Sequence, residues 1–230
     1  LLEPITSTTV EAGTRHTVRM DGALRSVGYD VAVYWIGTSN EIIPYRGGRF
    51  YFTAGKTRRL GAELSLRAEL SGGLAFQASV AASNNEYRDY VVDSVHYGVA
   101  GASKDFSGND MAGVPSLSFQ GRVRYAPALA TAPYVEAAVT GLGSYKADDA
   151  NLFGVPAYTV VDLTAGVKEV VLAADRLALH GWVTMANVFD RKYAASAFVN
   201  PDLTAAKAPI YLEPGLPRNF MASVGLHWLL

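Results

Sequence analysis

Two stretches of this 230-residue chain gather side chains suited to capturing a ligand. Arg46, Arg49, Phe50, Tyr51 and Phe52 crowd the first, and Tyr87, Arg88, Tyr90, His96, Tyr97 and Lys104 populate the second. A guanidinium or ammonium beside aromatic faces holds an anionic, partly aromatic molecule through charge-assisted hydrogen bonds and stacking. Taken singly, each is more often an ordinary surface charge or interfacial aromatic. The candidate ligand contacts are Arg46, Arg49, Tyr51, Arg88, Tyr90, His96, Tyr97 and Lys104.

Catalytic and metal chemistry finds little footing. None of His16, His96, His180 and His227 stands at ligand spacing with another histidine or a carboxylate, so no metal site is assigned. The chain has no cysteine, which removes a disulfide scaffold, a thiolate zinc site and a cysteine nucleophile. Asp148 and Asp149 are adjacent, and adjacent strand residues point to opposite faces, so the pair reads as a hydrated loop tip. The run Gly141-Leu142-Gly143-Ser144-Tyr145-Lys146 lacks the full spacing of a phosphate loop, and no helix follows it. No Gly-x-Ser-x-Gly elbow is present. No catalytic residue and no cofactor is assigned, and the chain does not read as an enzyme. Twenty basic residues against 21 acidic ones, with pI about 6.5, leave no electrostatic footprint for nucleic acid.

Periodicity decides which elements must position these residues. Over 58–70, Leu60, Ala62, Leu64, Leu66, Ala68 and Leu70 share one face, while Arg59, Gly61, Glu63, Ser65, Arg67 and Glu69 share the other. That is the period of a strand, and a helix would scatter the same residues around its circumference. The alternation recurs over 29–36, 74–83, 117–125, 159–168 and 220–230, and less regular strands fit 8–20, 133–145 and 176–188. Nine strands are predicted. Their connections alternate between short (21–24, 71–73, 127–132, 173–175) and long (37–56, 88–115, 146–156, 190–218). Outer-membrane barrels have this asymmetry, with short periplasmic turns and long external loops. No run reaches the roughly 18 apolar residues of a membrane helix, a test that barrel strands do not have to pass. Strands of about 13 residues exceed the usual five or six. Tyr29, Trp35, Tyr125, Tyr134, Tyr158, Phe220 and Trp228 near strand ends suit interfacial girdles. A barrel makes Arg59, Glu63, Arg67 and Glu69 lumen-facing; a soluble β-sandwich would expose the same row to water.

Six motifs then carry a resemblance. Leu2-Glu3-Pro4-Ile5-Thr6-Ser7 through Glu11-Ala12-Gly13 resembles L-x-P-E-x-S-x-x-x-E-x-G. Asn40-Glu41-Ile42-Ile43-Pro44-Tyr45 is similar to a loop that follows a barrel strand. Ala54-Gly55-Lys56-Thr57-Arg58-Arg59-Leu60-Gly61-Ala62-Glu63-Leu64 resembles N-x-G-K-T-R-x-x-G-V-E-L, with alanine at two positions. Gly113-Val114-Pro115, Asn187-Val188-Phe189-Asp190-Arg191-Lys192-Tyr193 and Pro214-Gly215-Leu216-Pro217-Arg218-Asn219-Phe220 resemble G-V-P, N-L-F-D-K-K-Y and P-G-x-P-R-x-F. Together, in this order, they resemble the C-terminal part of the barrel of TonB-dependent outer-membrane receptors along the whole chain.

The resemblance implies an all-β, antiparallel transmembrane β-barrel in the outer membrane of a Gram-negative bacterium. Residues 1–230 would supply about nine strands of a plugged barrel of about 22. It implies that the plug, the earlier strands and the contact with the TonB energy-transducing complex lie outside this sequence, which opens at Leu1 rather than Met. The implied partners are outer-membrane lipid and an iron-chelate ligand such as a ferric siderophore, with no nucleic acid. A soluble all-β binding or structural domain and a passive outer-membrane pore are the alternatives.

Overall fold

The computed structural model describes residues 4–45, 50–92, 103–172, 177–201 and 211–228. Its strands are β1 (Thr6–Arg19), β2 (Leu24–Tyr45), β3 (Phe50–Leu70), β4 (Leu74–Asp89), β5 (Val91–Val92), β6 (Lys104–Asp105), β7 (Leu117–Tyr125) and β8 (Pro133–Leu142). They continue as β9 (Tyr145–Lys146), β10 (Gly154–Val155), β11 (Tyr158–Leu172), β12 (Leu177–Ala186), β13 (Ala194–Ala197), β14 (Leu212–Pro214) and β15 (Asn219–Trp228). Nine of them form one antiparallel sheet in the order β1-β2-β3-β4-β7-β8-β11-β12-β15. These are the nine strands that the alternation predicts. The other six pair as short ladders, β5 with β6, β9 with β10 and β13 with β14, each inside a long connection. The sheet does not close on itself: β1 and β15 are its two edges.

Register keeps the two faces apart. Leu64 lies between Val31 and Val80, and Leu66 between Tyr29 and Ala78. Further along, Val123 pairs with Ala137, Leu163 with Met185, and Met185 with Phe220. This apolar face stays uncovered, with Leu60 50%, Val183 52% and Val224 73% exposed. A water-soluble sheet would have to cover such a face, whereas lipid solvates it. The opposite face carries Arg59, Glu63, Arg67 and Glu69 on β3. In register with that row stand Gln77, Ser79 and Asn85 on β4, and Gln120, Arg122 and Arg124 on β7. Arg122 and Arg124 both reach Glu136, at 3.3 and 3.6 Å, and Arg124 stacks 4.0 Å from the centre of the Tyr134 ring.

The connection expected over 37–56 is a correction. β2 runs on to Tyr45 and β3 begins at Phe50, so this stretch is mostly a two-stranded ribbon. The break in period two is real but has a local cause. Asn40 sits at φ 60°, the left-handed region that asparagine tolerates better than most residues. One residue later, Glu41 accepts hydrogen bonds from Arg59 (2.8 Å) and Thr57 (3.0 Å), both on the polar face. A single left-handed residue thus changes which face the strand presents without ending it. At about 3.3 Å per residue the 22 residues of β2 extend roughly 70 Å, far more than a tilted strand needs to cross an apolar band about 25 Å tall.

Candidate functional site

The long connections meet at the outer end of the wall, where most of the buried side chains lie. Ile43, Tyr87, Tyr90, Val92, Phe106 and Met111 form one buried apolar cluster. The ring pairs Tyr87–Tyr90 and Tyr90–Phe106 stand at 4.8 and 5.4 Å, both tilted, which is a favourable aromatic geometry. The long connection expected over 88–115 therefore carries structure of its own. β5 and β6 pair within it, and its Tyr90, Val92, Phe106 and Met111 are buried in the cluster.

Asp149 is the polar centre of this cap. Its carboxylate accepts from the Tyr87 hydroxyl (2.5 Å), the Tyr90 hydroxyl (2.9 Å) and Asn200 Nδ2 (2.9 Å). Its backbone N–H donates to Asn200 Oδ1 (2.9 Å), and its carbonyl accepts from Asn109 Nδ2 (2.7 Å). Beside it, Asp110 and Asn151 exchange a reciprocal backbone–side-chain pair, both at 2.9 Å. Asp148 turns back on its own loop and accepts from the amides of Phe153 (2.7 Å) and Leu152 (3.2 Å). Both aspartates are buried, so the hydrated loop tip expected for them is overturned. Burial pushes the Asp149 carboxyl above the usual carboxylate range, against the pull of its three donors. Three connections, 90–116, 143–157 and 187–218, are therefore fastened at one carboxylate.

The sequence-derived contacts divide sharply. Tyr90 is 2% exposed and holds the cap together, so it does not face a ligand. Tyr51 lies in β3 opposite Pro44 rather than in a loop, and is 56% exposed. Arg88 lies at the end of β4, exposed, and pairs with Glu86, which also takes Arg58 at 3.1 Å. Lys104 is exposed on β6 opposite Val92. Arg46, Arg49, His96 and Tyr97 lie outside the described residues. Arg59 pairs with Glu41, Glu69 accepts from Ser26 at 3.3 Å, and Arg67 lines a polar hollow of about 200 Å³ with Gln77, Gln120, Arg122 and Thr140. Glu63 is exposed on the same face. Several mouth cations are already matched by carboxylates, so this surface offers directed donors rather than a bare positive patch.

Two sites escaped the sequence. The clasp at Asp149 joins residues about sixty and fifty positions away and has no periodic signature. His180 and His227 are brought to one face by the β12–β15 register, their ring centroids 5.8 Å apart. The Asn187-Val188-Phe189-Asp190 motif resolves as a structural knot. Asn187 and Asp190 both adopt positive φ (50° and 51°). Asn187 donates to the carbonyls of Arg191 and Leu216, and Asp190 accepts from the Arg218 amide, tying the end of β12 to the start of β15.

An open antiparallel wall with a lipid-solvated face, a polar inner face and a clasped outer cap is a section of an outer-membrane barrel. The chain belongs to the TonB dependent receptor-like, beta-barrel family, whose profile matches residues 1–184. It is 26% identical over 228 residues to a ferrioxamine receptor of Yersinia enterocolitica, covering 98% of this chain and 28% of that protein. It is 28% identical over 179 residues to the ferrichrome outer membrane transporter/phage receptor of Escherichia coli K12, covering 73% and 21%. The chain thus spans under a third of the length of these relatives. Among solved structures, the ferric yersiniabactin uptake receptor FyuA from Yersinia pestis superposes with TM-score 0.69 at 18% identity, over 98% of this chain and 30% of that one. The fold is that of these barrels, and the soluble-domain alternative is set aside.

Proposed function

We propose that this chain is the C-terminal wall section and part of the outer mouth of a receptor that takes up a scarce ferric chelate, using energy delivered through TonB. Family membership across residues 1–184, together with relatives named for ferrioxamine and ferrichrome, is the observation that carries the reading. The geometry supports it. The inner face is wet and charged, and the mouth is built from three connections held in fixed relation, which is what a preorganised binding rim requires. Tyr51, Arg88 and Lys104, exposed at that rim, are the contacts in this reading; Arg46, Arg49, His96 and Tyr97, outside the described residues, complete the candidate set. The plug, the contact with TonB and the remaining strands belong to the longer protein of which this chain is a section. The chain's role is transport and not catalysis.

The test is whole-cell uptake of iron-labelled ferrioxamine and ferrichrome by the intact protein, in a host lacking its other receptors. The expected result is saturable uptake of at least one chelate, abolished when TonB is deleted. The Arg88→Ala/Lys104→Ala double variant should raise the half-saturating concentration while outer-membrane insertion persists. Uptake that is linear in concentration and indifferent to TonB would replace this reading with that of a passive pore.

A further inference from the structure

We propose that His180 and His227 form a two-imidazole site for a free divalent transition-metal ion of the Zn²⁺ or Cu²⁺ class, on the inner face of the wall near its short-turn end. The site is separate from the mouth and does not depend on which chelate the mouth captures. The ladder pairs His180 with Gly225 and Ala178 with His227, so the two histidines are diagonal neighbours on the polar face. Both are exposed there, with ring centroids 5.8 Å apart and planes inclined by 39°. A metal–nitrogen bond of about 2.1 Å puts the ion about 3.2 Å from each ring centre, so two rings on one tetrahedral ion stand roughly 5.2 Å apart. Small side-chain rotations on fixed strands close that difference.

The backbone is shaped for this contact. A Cβ at position 225 would lie 2.3 Å from His180 Nε2, so glycine there lets the imidazole lie across β15 toward His227. On the other side of β12, the β11 ladder breaks between Val167 and Val170. Those two residues pair with Gly181 and Leu179, so Lys168 and Glu169 stand against the single position of His180. Such bulges re-aim a neighbouring side chain and are over-represented beside functional sites. Imidazole is a ligand for zinc, copper and nickel. No group of three or more histidines and carboxylates forms around the pair among the described residues. Water completes the coordination, which makes the site open and exchangeable rather than a closed structural one.

The experiment uses the intact outer-membrane protein in detergent, titrated with Cu²⁺ and read by electron paramagnetic resonance. The expected signal at one equivalent shows coupling to two imidazole nitrogens. His180→Asn and His227→Asn should each weaken binding by at least about tenfold and remove the two-nitrogen pattern, while His16→Asn leaves it intact. Heat-modifiable migration on gels confirms that each variant is assembled. A second measurement needs no variant: Zn²⁺ should protect His180 and His227 together from diethyl pyrocarbonate while His16 reacts unchanged. A two-nitrogen signal that survives either substitution, its absence from the unsubstituted protein, or equal modification with and without Zn²⁺ overturns the site.

Discussion

The hydroxyl of Tyr87 donates to Asp149 Oδ1 at 2.5 Å across 62 residues of sequence, and both groups are buried. Tyr87 stands on the wall and Asp149 on a connection above it, so this bond sets the height and orientation of the cap. Its neighbours, Tyr90 and Asn200, make the same carboxylate the meeting point of three separate connections.

Asp149→Asn should loosen the cap without dissolving the wall. An amide offers one acceptor where the carboxylate offers two, leaving a buried hydroxyl or Asn200 Nδ2 without a partner. That costs about 1–3 kcal/mol. Amide exchange in 103–112 and 147–155 should accelerate correspondingly, while exchange in β7 and β8 stays slow. Equal acceleration in wall and cap would contradict a separate clasp.

Closure of the cap should depend on pH with a defined sign. The closed cap holds the Asp149 carboxyl above its ordinary range, so closing takes up a proton. The associated stability is fully present below the ordinary carboxylate value, about 3.9, and is lost as pH rises through the raised one. Protease nicking of the cap should therefore become slower on acidification towards that value. Asp149→Asn should flatten the dependence.

Leu64→Arg and Ser65→Arg place the same charge on opposite faces of one strand. Leu64 lies in the middle of the apolar row of β3, so arginine there should cost about 2–4 kcal/mol on folding into lipid vesicles. Ser65→Arg joins Arg67 and Gln77 around the inner hollow and should be much milder. Equal penalties would mean that the two faces are wrongly assigned.

The β3–β4 turn separates two adjacent glycines. Gly72 (φ 82°) has nothing within 4 Å of an added Cβ, so alanine there meets only the left-handed penalty, about 1–2 kcal/mol. Gly73 (φ 89°) would bring the Cβ to 2.0 Å from the Ala126 carbonyl oxygen, a backbone atom that cannot swing aside. Refolding yields should fall clearly further for Gly73→Ala than for Gly72→Ala.

The wall was legible because a strand facing lipid on one side and water on the other writes its environment into every second residue. Leu60 to Leu70 carried that signal, and register keeps Arg59, Glu63, Arg67 and Glu69 on the face opposite that apolar row. The cap was not legible, because its order comes from a few tertiary bonds among unlike residues. Asp148 and Asp149 looked solvated because their acceptors are filled by side chains and amides that no local pattern announces. Tyr90 looked available for the same reason. Asn40 broke the alternation and so imitated a loop. His180 and His227 are neighbours only through the pairing of β12 with β15.

Ile43 belongs to the second strand yet is packed in the cap cluster, and this has a consequence for how the molecule responds to its surroundings. Below that residue, apolar side chains point outward and are stabilised by the bilayer. Above it Tyr87, Tyr90, Val92, Phe106 and Met111 pack inward with it and are stabilised by expulsion of water. One polypeptide thus obeys two opposite solvent rules within the length of a single strand. Urea acts on the upper part by weakening the water-driven core, whereas bilayer thickness and detergent chain length act on the lower part. The upper part behaves as a miniature water-soluble protein carried on a lipid-soluble one, with Ile43 at their joint.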